Sequence, residues 1–198
     1  MSGASYKQNL QIACRLACPA APSVLAHDYR LPVAVGSVAI IGSFRQRYEE
    51  ALEAWRTFTA AGLTVTSPRG DPIVEAGIPF VRFTSDSVGH SDSLVQTIAL
   101  HRIMRADFTY VVAPDGYVGR TTCYEVGRVL QACRPLYFSE PPQDLPLLVP
   151  ISHLAAPGAL LARFVEESPR PWYTPDHGLF DDHDVLERDL RDGTLHDV

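Results

Sequence analysis

Cysteine is scarce in this chain, and its placement gives no metal-binding pattern. The four cysteines, Cys14, Cys18, Cys123 and Cys133, form no Cys-x-x-Cys pair, and no histidine is spaced with them as in a zinc site. Reduced thiols in a cytosolic protein are the expected state. We therefore expect neither a metal nor a redox cofactor.

Long hydrophobic runs and a basic excess are also missing. The most apolar N-terminal stretch, residues 10–20, is interrupted by Arg15 and is too short to span a bilayer. The net charge is −6, and the ten acidic residues and three arginines from Glu166 onward contribute −7 of it. Because the rest of the chain is nearly neutral, it lacks the excess of lysine and arginine that binding to duplex nucleic acid requires. The sequence predicts a cytoplasmic protein with neither a membrane nor a duplex nucleic acid as its partner.

The composition is that of a globular protein with one domain. The chain has 198 residues, of which 46% are hydrophobic, enough for a substantial core. We expect an N-terminal extension at residues 1–34, a central domain at residues 35–150, and an acidic C-terminal extension at residues 151–198. In the last of these, Trp172 and Tyr173 are expected to dock on the body, and a short helix is expected at residues 181–190.

Strand and helix patterns alternate along the central domain. The predicted strands are residues 38–41, 63–67, 108–113 and 135–138, with a possible fifth at 145–149. Helical spacing follows the first strand, a second helix starts at Ser91 or Asp92, and a third starts at Thr121 or Thr122. This alternation predicts an α/β fold, a Rossmann-like or flavodoxin-like three-layer sandwich with a mostly parallel sheet of four to five strands in the order 2-1-3-4. The long connection at residues 69–92 is expected to be a lid.

Ligands of such sheets bind beyond the carboxyl ends of the strands. The first candidate loop there is Gly42, Ser43, Phe44 and Arg45. Glycine permits close approach of a ligand, the following helix N-terminus suits phosphate, and Ser43 and Arg45 add a hydroxyl and a cationic fork. An ordinary strand-to-helix turn with a solvated arginine is the alternative, since neither GxGxxG nor GK[ST] is present.

The second candidate loop is DGYVGRTTCYEVG, which follows the third strand. Its glycines Gly116 and Gly119 indicate a tight turn, and Tyr117, Thr121 and Thr122 offer an aromatic ring and hydroxyls. We place Glu125 in the first turn of the next helix, where the helix dipole favours an ionised carboxylate of low pKa, fit for a nucleophile. Alternatively, Glu125 is the partner of Thr122 in a capping box.

The stretch DGYVGRTTCYEVGRVLQACRPLYF resembles the nucleoside 2-deoxyribosyltransferase-like superfamily, which includes nucleoside 5′-monophosphate N-glycosidases. The segment VAIIGSFR is similar to that superfamily's first-strand motif, and the resemblance covers about half of the chain. It implies that Glu125 is the catalytic carboxylate and that Ser43 and Arg45 hold a 5′-phosphate. It also implies a homo-oligomer, such as a dimer, acting on a small nucleoside or nucleotide.

Two positions depart from the superfamily's pattern. Where its members carry a sugar-binding aspartate, this chain has Ala99, and His101 nearby is the candidate substitute, although a structural histidine is the alternative. Asp107 matches a common residue of the superfamily that we interpret as structural. An early tyrosine has no counterpart, and Phe44 stands near its place.

The leading functional hypothesis is an N-glycosidase or deoxyribosyltransferase that cleaves the base–sugar bond, with hydrolysis favoured by the phosphate-type loop. Within enzymes, a phosphoribohydrolase of the cytokinin-activating kind ranks lower, because its PGGxGTxxE loop is absent. From another class, a non-catalytic nucleotide-binding or sensing domain fits the same scaffold. A structural interaction protein with an acidic arm has little support.

Overall fold

The computed structural model describes residues 35–68 and 89–172, together with residues 185, 186, 189, 190, 192 and 193. Its elements, in chain order, are β1 (Ser37–Gly42), α1 (Tyr48–Ala60), β2 (Thr64–Ser67), α2 (Asp92–Arg105), β3 (Phe108–Val112), α3 (Arg120–Gln131), β4 (Leu136–Phe138) and α4 (Pro157–Arg163). Short 3-10 turns lie at Pro114–Gly116 and Ile151–His153. The predictions for the leader, the arm at residues 80–83, most of the 69–92 connection and Tyr173 fall outside the described residues. Within the predicted helix at 181–190, residues 185, 186, 189 and 190 are helical.

The four strands form one parallel sheet in the order β2-β1-β3-β4. Strands β1 and β3 pair along their length, from Val38 opposite Phe108 to Gly42 opposite Val112. Both strands are buried on both faces, as their continuous apolar runs predict. The α/β fold class and the strand order are confirmed.

The prediction of a possible fifth strand at residues 145–149 is wrong. This segment has no strand backbone, and beyond β4 the sheet continues only as an isolated bridge between Phe138 and Leu154. Leu145, Leu147 and Val149 still pack on the core. Their apolar pattern therefore reflects packing rather than strand pairing.

Helices cover both faces of the sheet. On one face, Ala39 and Ile41 of β1 pack with Ile103 of α2 and with Val126 and Val129 of α3. On the other face, Val38 and Ile40 pack with residues of α1 and α4, among them Phe58 and Leu160. Trp172 is buried in the first cluster, and its indole Nε1–H donates to the Leu136 carbonyl at 2.7 Å, so its predicted docking is confirmed.

The amino ends of β1 and β3 are tied together by Asp107. Its Oδ2 accepts hydrogen bonds from Gly36 N at 2.9 Å, Ser37 N at 2.8 Å and Ser37 Oγ at 3.0 Å. Asp107 thus acts at the end of the sheet opposite to the strand exits, which confirms its structural interpretation. Among the described residues, no helix combines the length and the apolarity needed to cross a bilayer.

Candidate active site

The loops that leave β1 and β3 meet at the carboxyl end of the sheet, as the strand order predicts. A Cβ placed on Gly119 would lie 3.5 Å from Ser43 Oγ and 3.5 Å from the Tyr117 hydroxyl. At the rim, Arg47 Nη2 donates to Asp115 Oδ2 at 2.6 Å and links the same two loops. Sequence segments more than seventy residues apart therefore build one site.

The loop after β1 is a compact turn before α1. The Ser43 carbonyl accepts hydrogen bonds from Gln46 N at 2.9 Å and from Arg47 N at 2.8 Å. Because α1 begins only at Tyr48, its N-terminus is not the one that reaches the site. A Cβ on Gly42 would lie 2.8 Å from the Val112 carbonyl oxygen, so the glycine is also required by the close packing of β1 on β3.

The loop after β3 is fixed by backbone geometry and by two carboxylates. Asp144 accepts hydrogen bonds from Val118 N at 3.0 Å and from Gly119 N at 3.2 Å, and Glu140 Oε2 accepts one from Asp115 N at 3.2 Å. Gly116 is buried at φ 74°, and a Cβ there would lie 2.5 Å from Gln143 Cγ. Gly116 therefore shapes the turn and is not among the residues that line the cavity, and its assignment as a substrate-binding residue stays a prediction.

Helix α3 begins earlier than predicted. Its N-cap is Gly119, at φ 83° and ψ 159°, and no side chain caps it. Since Arg120 is its first residue, Glu125 lies in the second turn. The first-turn placement of Glu125 and the capping box with Thr122 are both wrong, because the conformation of Gly119 starts the helix before either threonine.

Glu125 is buried, with 8% of its surface exposed. Gln96 Nε2 of α2 donates a hydrogen bond to its Oε1 at 2.9 Å. Burial raises the pKa of Glu125 from 4.5 to about 7, and the Gln96 hydrogen bond opposes this rise. The expected low pKa is therefore wrong: beyond the first turn the helix dipole is weak, and desolvation outweighs it.

A cavity of about 440 Å³ opens above Glu125. Of the residues predicted to form the site, it is lined by Gly42, Ser43, Phe44, Arg45, Tyr117, Gly119, Thr121, Thr122 and Glu125. His101 is exposed on α2 and does not line it, because the face of α2 toward the cavity carries Val95, Gln96, Ala99 and Arg102. The structure therefore gives no support to His101 as the substitute for the aspartate, which stays a prediction.

Sequence reasoning missed five polar residues of the cavity: Gln96, Arg102, Arg120, Gln46 and Ser67. The first two lie one turn before and one turn after Ala99, the position aligned with the sugar-binding aspartate. Inspecting the residues one helical turn before and one turn after Ala99 would have found them, since residues three apart share a helix face. Arg120 directly follows Gly119 in a loop already singled out.

The cavity is positively charged. Arg45, Arg102 and Arg120 line it, and none of them forms an ion pair with any residue that the structure describes. Among the described residues of the lining, Glu125 is the acidic one, and its raised pKa leaves it partly protonated at neutral pH. The uncapped N-terminus of α3 adds free N–H groups and a positive dipole end. Such a cavity suits an anionic ligand.

Thr122 contributes a hydroxyl at the same place. The residue is 3% exposed, it lines the cavity, and its hydroxyl has no hydrogen-bond partner within the described segments. The hydroxyl can therefore donate to, or accept from, a ligand in the cavity. Of the two flanking tyrosines, Tyr117 lines the cavity, whereas Tyr124 is half-exposed and lies beside Arg128.

No protein-family model, no curated protein and no solved structure matches this chain. The protein belongs by its own geometry to the α/β class with a Rossmann-like parallel sheet. Its site combines a buried carboxyl group with a cationic, partly aromatic cavity at the strand exits.

Proposed function

We propose that the protein is an N-glycosidase of nucleoside 5′-monophosphates, with Glu125 as the nucleophile. The observation that carries this proposal is a buried carboxyl group facing a cavity whose other charged residues, within the described part of the chain, are arginines. These arginines suit the phosphate of a nucleotide, and the carboxylate suits the sugar carbon that becomes electron-poor when the base departs.

In the first step, a Glu125 oxygen attacks C1′, and the bond between C1′ and the base nitrogen breaks. The electron pair of that bond leaves with the base, which takes a proton from water. Water then cleaves the glycosyl ester, giving the free sugar phosphate and restoring the carboxylate. The transition state carries positive charge near C1′, and a carboxylate in a desolvated site stabilises that charge more strongly than one in water.

The phosphate is assigned to the junction of the two loops. Ser43 offers a hydroxyl, Arg45 and Arg120 offer guanidinium groups, and the N-terminus of α3 offers backbone N–H groups. Phe44 and Tyr117 supply aromatic surface for the base. No cofactor is needed for this chemistry, and a homo-oligomer completing the site stays part of the proposal.

Hydrolysis is favoured over transfer to a second base because the loop junction suits a phosphorylated substrate. A second candidate function is a nucleotide-binding sensor without turnover. Ala99, which lines the cavity where the resembling superfamily carries a sugar-binding aspartate, favours this alternative.

The test is incubation with a panel of ribo- and deoxyribonucleosides and their 5′-monophosphates, with free base measured by chromatography. Base release from a 5′-monophosphate is expected, and Glu125→Gln should abolish it. Glu53→Gln, which removes an exposed carboxylate on α1, is the matched control and should retain it. Release that persists in Glu125→Gln would overturn the proposal. Nucleotide binding without release would favour the sensor.

A further inference from the structure

Arg102 and Arg120 approach the cavity from different sides of β1. The Thr66 hydroxyl on β2 donates to the Arg102 carbonyl at 3.1 Å, which holds the end of α2 beside β2. Arg120 opens α3 next to the junction of Ser43 and Gly119, on the β3 side. Strands β2 and β3 lie on opposite sides of β1. At the usual spacing between neighbouring strands, the axes of β2 and β3 are therefore about 10 Å apart.

The charge of Arg102 has no compensation within the described residues. It is only partly exposed, and no carboxylate pairs with it there. One turn earlier, where a carboxylate could neutralise it, the helix carries Ala99. Glu125 is hydrogen-bonded by Gln96 instead. Since Arg102 lines the cavity, its guanidinium is available to an anionic group of the ligand.

The junction of Ser43, Arg45 and Arg120 is the phosphate site of the proposed function, and the backbone of Arg102 lies on the other side of β1 from Arg120. We infer that the preferred substrate carries a second anionic group, which Arg102 binds on the β2 side of the cavity. This inference rests on the proposed function and deepens it. The substrate class is a nucleoside 5′-phosphate bearing a further phosphate on its sugar or a carboxylate on its base.

The test compares three probes by calorimetric titration: a pyrimidine ribonucleoside 5′-monophosphate, its 3′,5′-bisphosphate, and a 5′-monophosphate whose pyrimidine carries a carboxylate. One of the two doubly anionic probes should bind about tenfold more tightly than the simple monophosphate, as expected for one added charge-assisted contact. Which of them does so identifies whether the sugar or the base carries the group.

In Arg102→Gln, the affinity of the preferred doubly anionic probe divided by that of the simple monophosphate should fall from about ten to about one. Arg105→Gln removes an exposed arginine from the next turn of α2, outside the cavity lining, and should keep the wild-type ratio. Equal affinities in the wild type, or an Arg102→Gln variant that weakens all three probes alike, would overturn the inference while leaving the proposed function standing. Failure of every probe to bind would overturn the inference for pyrimidine nucleotides, and the base-release panel decides the proposed function independently.

Discussion

Gln96 and Glu125 join α2 to α3 across the candidate site through a hydrogen bond of 2.9 Å from Nε2 to Oε1. An amide donor of this kind favours the ionised carboxylate, whereas burial of Glu125 favours the protonated acid. Burial is the larger effect. The pair therefore sets the pH at which this carboxylate becomes charged.

The raised pKa of Glu125 predicts a specific pH dependence of stability. Because the folded-state value, about 7, lies above the ordinary 4.5, the contribution to stability is full below pH 4.5 and is lost as the pH rises to about 7. Glu125→Gln removes this loss. Its free energy of unfolding relative to the wild type should rise by about 3 kcal/mol between pH 4 and pH 8.

Urea denaturation at a series of pH values measures this difference. Glu53→Gln, which changes an exposed carboxylate, should show a difference that stays flat with pH. A flat difference for Glu125→Gln as well would show that its pKa is ordinary in the folded protein.

Replacing Gln96 tests its control over Glu125. If Glu125 must be ionised to attack C1′, kcat/KM for base release should rise as the pH passes through about 7. Gln96→Leu removes the opposing hydrogen bond, so this rise should move about one pH unit upward. Thr97→Ala, at the neighbouring exposed position of α2, should leave the profile in place. If Gln96→Leu lowers kcat/KM at every pH without shifting the pH of its rise, Gln96 only packs beside Glu125 and does not control its ionisation.

Gly119→Ala should destabilise the protein, because φ 83° with ψ 159° is a conformation that residues with a side chain avoid. The expected loss is about 1–3 kcal/mol in the free energy of unfolding, measured by denaturant titration. Gly127→Ala is the contrasting change in the same helix, since a Cβ there meets nothing within 4 Å. It should stabilise by about 0.5–1 kcal/mol. Equal effects of the two substitutions would contradict the assigned conformation of Gly119.

Asp107→Ala should weaken the fold without touching the site. It leaves the N–H groups of Gly36 and Ser37 without their acceptor, at an expected cost of about 2–3 kcal/mol in thermal or urea denaturation. Asp107→Asn, which keeps one side-chain oxygen, should lose less. Since Asp107 lies at the opposite end of the sheet, KM for base release should stay unchanged in the folded variant; a large rise in KM would contradict this placement.

The sheet was predictable because its signals are local. The apolar runs of β1 and β3 indicate buried parallel strands, and the handedness of their connections leaves few possible orders. Residues 145–149 show the limit of such patterns: apolar side chains that pack on a core resemble a strand until the backbone pairing is known.

The site was predictable in its loops and not in its electrostatics. Ser43 and Glu125 stand in recognisable motifs, and the strand order brings them to one cavity. The pKa of Glu125 depends instead on its burial by elements distant in the sequence. The turn of α3 in which Glu125 lies depends on where the helix starts, which is set by the backbone of Gly119. Neither can be read from spacing, so the expected low pKa came out reversed.

The burial of Trp172 bears on how short this protein can be made. Its ring lies in the core cluster, and its N–H occupies the Leu136 carbonyl of β4. On the other face, Leu160 and Phe164 cover Phe108 and Tyr137. A fragment cut after residue 150 would therefore uncover both faces of the sheet near β4. The smallest piece expected to fold by itself extends at least from residue 35 to residue 172.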